Sequence, residues 1–125
     1  MMAERNCVCV VDDDESVRES LPDLLRSYGF VTRAFASAEE FLSSDSQAET
    51  SCLVLDVAMP GMTGPELQDE LRHRNAGIPI VFITAQPDDD RLCARLLQRG
   101  AVACLLKPFG EEAIVAAINR AIHGR

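Results

Sequence analysis

Short, nearly continuous apolar runs alternate along this chain with stretches whose apolar positions recur every three or four residues. Asn6–Val11 is the first run and predicts a strand covered on both faces; it stops at Asp12-Asp13-Asp14. From Asp14 the period changes. Val17, Leu21, Leu24, Leu25 and Tyr28 fall on one helical face, and Gly29 supplies a stop after the last turn. Phe30–Ala36 predicts a second strand, and Ser37 with Glu40 has the spacing of a capping box for a short helix around Phe41 and Leu42. The polar stretch Ser43–Ser51 ends that helix. Ser51–Asp56 predicts the third strand and Pro65–Arg74 the third helix, with proline early in the first turn, where its missing N–H costs little. Pro79–Thr84 is too short and too β-branched for a helix and predicts the fourth strand. Asp88–Arg99 predicts a fourth helix, acidic at its start, basic near its end and closed by Gly100. Val102–Leu106 and Glu111–Ile122 predict the fifth strand and fifth helix.

Strand and helix therefore alternate five times with short connections, which predicts an α/β fold: a parallel sheet with helices on both faces. No repeat or low-complexity linker divides the chain, so residues 1–125 read as one domain, with short disordered ends expected at 1–5 and 123–125. Aromatic residues are only 5% of the chain, so its core must be built mainly from Val, Leu, Ile and Ala. A net charge of −8 without basic clusters argues against direct binding to nucleic acid. The longest apolar runs, Ala101–Leu106 and Ala113–Ile118, fall far short of the ~20 residues of a membrane helix, and the N-terminal residues lack an export pattern, so a cytoplasmic protein with no membrane partner is expected. The five cysteines, Cys7, Cys9, Cys52, Cys93 and Cys104, lack zinc-site spacing and are expected to be free, mostly buried thiols.

The candidate chemistry lies at the strand ends. In open parallel sheets the functional crevice is outside the carboxyl ends of the strands. On that scheme the first strand delivers Asp12 and Asp13, the third Asp56, the fourth Thr84 and the fifth Lys107. Three neighbouring carboxylates repel, so without a cation one of them should resist ionisation. A hard divalent ion relieves this: Mg²⁺ takes one or two carboxylates and completes its shell with water and phosphate oxygen. Lys107 and Thr84 supply a positive charge and a hydroxyl donor suited to phosphoryl oxygens. Asp56 is the candidate nucleophile, since carboxylates form acyl phosphates.

The segments VVDDDESVRESL, VLDVAMPGMTG, FITA and LLKPF, in this order and at these separations, resemble the receiver domain of bacterial two-component response regulators over essentially the whole chain. The resemblance implies a flavodoxin-like, doubly wound sheet of strand order 2-1-3-4-5. It implies that Asp56 is the phosphoacceptor, with Thr84 and Lys107 contacting the phosphoryl group. Asp12, Asp13, Asp56 and the backbone carbonyl of Ala58 would hold Mg²⁺, for which Mn²⁺ can substitute. It also implies a sensor histidine kinase as phosphoryl donor and a cis peptide between Lys107 and Pro108. The face made by the fourth helix, fifth strand and fifth helix would change on phosphorylation, support a homodimer and control an output, transcription through a further domain. Such a protein is a signalling switch rather than an enzyme, with only self-phosphorylation and self-dephosphorylation chemistry.

Two departures from the family pattern stand out. Three residues before Lys107 the family usually carries Tyr or Phe as a rotamer gate, whereas this chain has Cys104. The residues two beyond Asp56 and Thr84, which flank the route of the hydrolysing water, are Ala58 and Gln86. Two alternatives stay open: a receiver-like docking scaffold that is never phosphorylated, and a phosphohydrolase resembling the haloacid dehalogenases. The latter requires a second Asp where this chain has Ala58. Blander roles also exist for single residues. Asp12 can cap the first helix with Asp13 and Asp14 favouring its dipole, Asp88-Asp89-Asp90 can be a solvated helix start, and His73 and His123 are expected at the surface.

Overall fold

Five strands pair in parallel: β1 (Cys7–Val11), β2 (Val31–Phe35), β3 (Thr50–Asp56), β4 (Ile80–Thr84) and β5 (Ala103–Leu106), in the order β2-β1-β3-β4-β5. The computed structural model describes residues 6–85 and 90–124. Between the strands run α1 (Glu15–Ser27), α2 (Ala38–Ser43), α3 (Gly64–His73) and α4 (Asp90–Gln98), and α5 (Glu111–His123) follows the last. This is the flavodoxin-like, doubly wound arrangement.

The two-residue period of the strands divides the core into two layers. Cys9, Val11, Leu53, Leu55 and Phe82 face α2, α3 and α4, where Phe41, Leu67, Leu71 and Leu96 cover them. Val8, Val10, Cys52, Val54, Val81 and Ile83 face α1 and α5, against Leu21, Leu25, Ile114 and Ile118. Fully burying each of the larger aliphatic side chains contributes about 1.5–3 kcal/mol. The central strands are apolar on both faces because helices cover both. At the edge, β2 is half-buried to exposed along its length, which is why its sequence is the more polar VTRAF.

The helix starts differ in detail from the sequence pattern. Asp14, rather than Asp12, caps α1: its carboxylate accepts from the Ser16 amide at 2.9 Å. Ser37 accepts from the Glu40 amide at 3.0 Å, but the Glu40 carboxylate reaches the Ala36 amide instead of closing the box on Ser37. The complete capping box is at α3, where Thr63 and Glu66 exchange both bonds. Pro22 lies inside α1, at a cost of about 3 kcal/mol in isolation. There it is buried together with Leu21 and Leu25, so packing overrides local propensity. A short 3₁₀ turn, Gln47–Glu49, occupies the polar stretch before β3.

α5 continues to His123, with Gly124 as its C-cap. Residues 1–5 and 125, Gln86, and the Asp88 and Asp89 that would open the fourth helix lie outside the described residues. His73 and His123 are exposed. None of the described helices is long and apolar enough to cross a membrane.

The cysteines require a correction. Cys7, Cys9 and Cys52 are free and buried, but Cys93 of α4 and Cys104 of β5 form a disulfide. They are 11 residues apart in sequence, a spacing that signals nothing. The fold brings their Cα atoms to 5.7 Å, within the range a disulfide spans.

Candidate functional site

The register of the sheet builds the site. Val11 of β1 is level with Leu55 of β3, so Asp12, the next residue, comes level with Asp56. Asp56 in turn pairs with Ile83, one residue before Thr84, and Thr84 pairs with Leu106, one residue before Lys107. The Lys107 amide continues the ladder by donating to the Thr84 carbonyl at 2.7 Å. The expected residues thus share one edge of the sheet, and the Lys107–Pro108 peptide that follows is cis, as the resemblance implies.

Asp12, Asp56 and Thr84 are buried, whereas Asp13 and Ala58 are exposed. One carboxylate oxygen from each of Asp12, Asp13 and Asp56 lies within 4.8 Å of the others, the sole such acidic, histidine or cysteine cluster among the described residues. Lys107 Nζ donates to Asp12 Oδ2 at 2.7 Å and stands 3.4 Å from Asp56 Oδ1. Asp12 is held from the other side too: its Oδ1 accepts from the Asp14 amide at 2.9 Å, and its carbonyl accepts from Arg18 Nη1 at 3.0 Å.

Electrostatics single out Asp56. Burial, with the negative charge of Asp12 behind it, pushes its carboxyl up from 3.8 to about 7, although Lys107 pulls the other way. This is the carboxyl that resists ionisation when no cation neutralises the cluster. For Lys107, burial works against the charge. Its hydrogen bond to Asp12 and the nearby charge of Asp56 outweigh that, and the ammonium stays above its ordinary value.

Several residues beyond those at the strand ends shape the site. A Cβ on Gly64 would come 2.3 Å from the Asp56 carbonyl oxygen, so only glycine lets α3 start this close to the strand end. Its amide donates to the Val57 carbonyl at 3.0 Å, which closes the intervening loop. Within that loop Gly61 takes a φ of +73°, and the Glu39 carboxylate accepts from the Met62 amide at 3.0 Å. The glycines are visible in the sequence as turn residues, but their near neighbours are not.

Residues 8–119 match the response regulator receiver domain family. The chain belongs to that family. Receiver domains are signalling modules, and the relatives of this one are named response regulators and transcriptional regulators. Nodulation protein W of Bradyrhizobium diazoefficiens is 47% identical over 117 residues, 90% of this chain and 51% of that protein. The transcriptional regulatory protein FixJ of Azorhizobium caulinodans is 41% identical over 97% of this chain and 57% of its own length. This chain thus spans about half the length of the curated relatives it matches. Among solved structures, the response regulator StyR superposes with a TM-score of 0.88 at 47% identity, over 95% of this chain and 60% of that one. FixJ-N superposes with a TM-score of 0.86 at 34% identity, over 98% of both chains. The site described above is therefore the strand-end edge of a receiver domain.

Proposed function

We propose that this receiver is a phosphorylation switch in which Asp56 accepts a phosphoryl group from the phosphohistidine of a sensor kinase. The observation that carries the reading is the convergence of Asp12, Asp13, Asp56 and Lys107 at one edge, with Thr84 in register beside them. Three carboxylates and one ammonium leave two negative charges, which a divalent cation neutralises, so the donor set fits Mg²⁺ or Mn²⁺. Asp12, Asp13, Asp56 and the Ala58 carbonyl would hold the ion. When bound, it supplies charge neutralisation for the phosphoryl oxygens.

The protein's own groups do the rest. An Asp56 carboxylate oxygen attacks phosphorus, the phosphorus–nitrogen bond of the donor breaks, and the departing imidazole keeps the electron pair and takes up a proton. Lys107, held in place by Asp12, neutralises a developing oxygen charge, and the Thr84 hydroxyl donates to another. Because Asp56 must be ionised to attack, the reaction gains from anything that relieves its raised pKa. Ala58 offers no acid to protonate a leaving group, which argues against a phosphohydrolase, and the intact acidic set argues against a mere scaffold.

The downstream reading is that α4, β5 and α5 form the face that responds. Leu97 and Leu106 are exposed there, 44% and 47%, as a homodimer contact would require. The output is transcription through a further domain, in a cytoplasmic regulator, with no nucleic acid bound by this domain itself. The test is incubation with Mg²⁺ and acetyl phosphate followed by intact mass measurement. One added phosphoryl group, absent in Asp56→Asn, supports the reading. No adduct returns the scaffold, and multi-turnover hydrolysis of phosphomonoesters returns the enzyme.

A further inference from the structure

α4 is weakly held by ordinary packing. Of its nine residues, Asp90–Gln98, only Leu96 is buried, whereas α5 buries Ile114, Val115, Ala117, Ile118 and Ala121. Among the described residues its further ties include half-buried Leu92 packed on the core, a long hydrogen bond from Gln68 Nε2 to the Leu96 carbonyl, 3.4 Å, and an exposed ion pair just past its end, Arg99 with Asp69. Exposed pairs of that kind contribute little. The covalent link from Cys93 to Cys104 is therefore the strongest tie between α4 and the sheet. It joins α4 to β5, three residues before Lys107 enters the acidic cluster.

The pair is also chemically distinct from the other cysteines. Cys93 and Cys104 are half-buried rather than enclosed in the core. Cys7, Cys9 and Cys52 are buried, and burial pushes the Cys9 and Cys52 thiols up to about 11 and about 12, so the thiols of Cys9 and Cys52 stay protonated and inert. In a reducing compartment, where disulfides are uncommon, those that form are usually transient or redox-sensing.

We propose that Cys93 and Cys104 are a reversible thiol–disulfide site that exchanges with a low-molecular-weight thiol and its disulfide, locking α4 onto β5 when closed and releasing it when open. A small thiolate attacks one sulfur of the bridge, the protein S–S bond breaks, and the displaced sulfur leaves with the electron pair and takes up a proton. A second small thiolate then attacks the mixed disulfide, expelling the remaining protein thiolate, which is protonated in turn. The balance is one protein disulfide and two small thiols giving two protein thiols and one small disulfide; the reverse closes the bridge. The consequence for signalling, that the closed form restrains the α4–β5–α5 response to phosphorylation, rests on the function proposed above.

The test equilibrates the protein across a series of reduced-to-oxidised glutathione ratios, without metal or phosphodonor. Free thiols are counted after denaturation, and amide hydrogen exchange is followed in α4 and α5. Of the five cysteines, three should titrate at the oxidising end and all five at the reducing end. Opening should speed exchange in Asp90–Gln98 by about tenfold while leaving α5 unchanged. Cys93→Ser and Cys104→Ser should each show the fast rate in every buffer. The wild-type comparison between buffers stands alone if a variant fails to fold. Five thiols throughout, three thiols throughout, or α4 exchange equal in the open and closed forms each overturns the proposal. A parallel arm adds Mg²⁺ and acetyl phosphate at both ends of the series. Absence of an Asp56 adduct in both overturns the phosphoacceptor reading while the exchange result still decides the redox site.

Discussion

Replacing Asp56 with asparagine should make the metal-free protein more stable, by an amount that grows as pH rises from about 4 towards 7. The carboxyl sits at about 7 in the folded state against 3.8 as its ordinary value. A raised acid pKa means that the folded protein holds the proton more tightly than the unfolded chain does. Stability is therefore fullest below about pH 4 and falls as pH rises towards 7, where the folded state too must carry the charge. At about 1.4 kcal/mol for each tenfold change in proton affinity, the ceiling on that loss is about 4 kcal/mol. Asp13 and the edge of the site are open to water, which screens the repulsion, so about 2 kcal/mol is the working figure. Asparagine has nearly the shape of the protonated carboxyl and carries no charge. At pH 8 in the presence of a chelator, Asp56→Asn should thus melt about 8 °C above the wild type, and at pH 4 the two should coincide. Saturating Mg²⁺ at pH 8 should narrow the gap by stabilising the wild type. Differential scanning calorimetry at the two pH values reads the effect. Equal melting at pH 8, or an equal gap at both pH values, would refute the account of Asp56 as a carboxylate held against burial and the charge of Asp12.

Mg²⁺ affinity should rise by about tenfold per pH unit below 7 and level off above it, because the ion competes with the Asp56 proton; isothermal titration across pH 5.5–8 measures this, and a flat profile refutes it. Lys107→Met removes the cation that opposes the raised Asp56 pKa, so the Asp56 carboxyl should titrate higher still, read by carbon NMR of the side chain; a downward shift would contradict the geometry. Gly64→Ala drives a Cβ into the Asp56 carbonyl, 2.3 Å away, and should cost at least about 2 kcal/mol in urea unfolding and weaken Mg²⁺ binding with it. Leu53→Ala, in the fully buried centre of β3, should cost about 3 kcal/mol, whereas Leu106→Ala, 47% exposed, should stay within about 0.5 kcal/mol.

The parts of the fold that could be read along the chain are those governed by local period and by strand-end chemistry. The runs Asn6–Val11, Ser51–Asp56 and Pro79–Thr84 read as strands because helices shield both of their faces, which leaves short apolar runs with few positions that must be polar. Asp12, Asp13, Asp56, Thr84 and Lys107 could be assembled beforehand because a parallel sheet sends every carboxyl end to the same edge. Local capping was less legible. Asp14 rather than Asp12 closes α1, and the full box belongs to Thr63 and Glu66, because which side chain reaches an amide depends on dihedrals that residue type only biases.

Sequence alone determined the alternation of elements, the aliphatic core and the membership of one acidic edge, since each follows from the order and period of residue types. Tertiary structure decided the rest. Which carboxyl carries the burden of repulsion depends on burial and on Lys107 standing 2.7 Å from Asp12 but 3.4 Å from Asp56, distances set by sheet register. The joining of Cys93 to Cys104 depends on α4 lying across β5, and a sequence separation of 11 is silent on that. Covalent reach and electrostatic energy both vary with distance through space, and only the packed sheet and its helices turn positions along the chain into such distances.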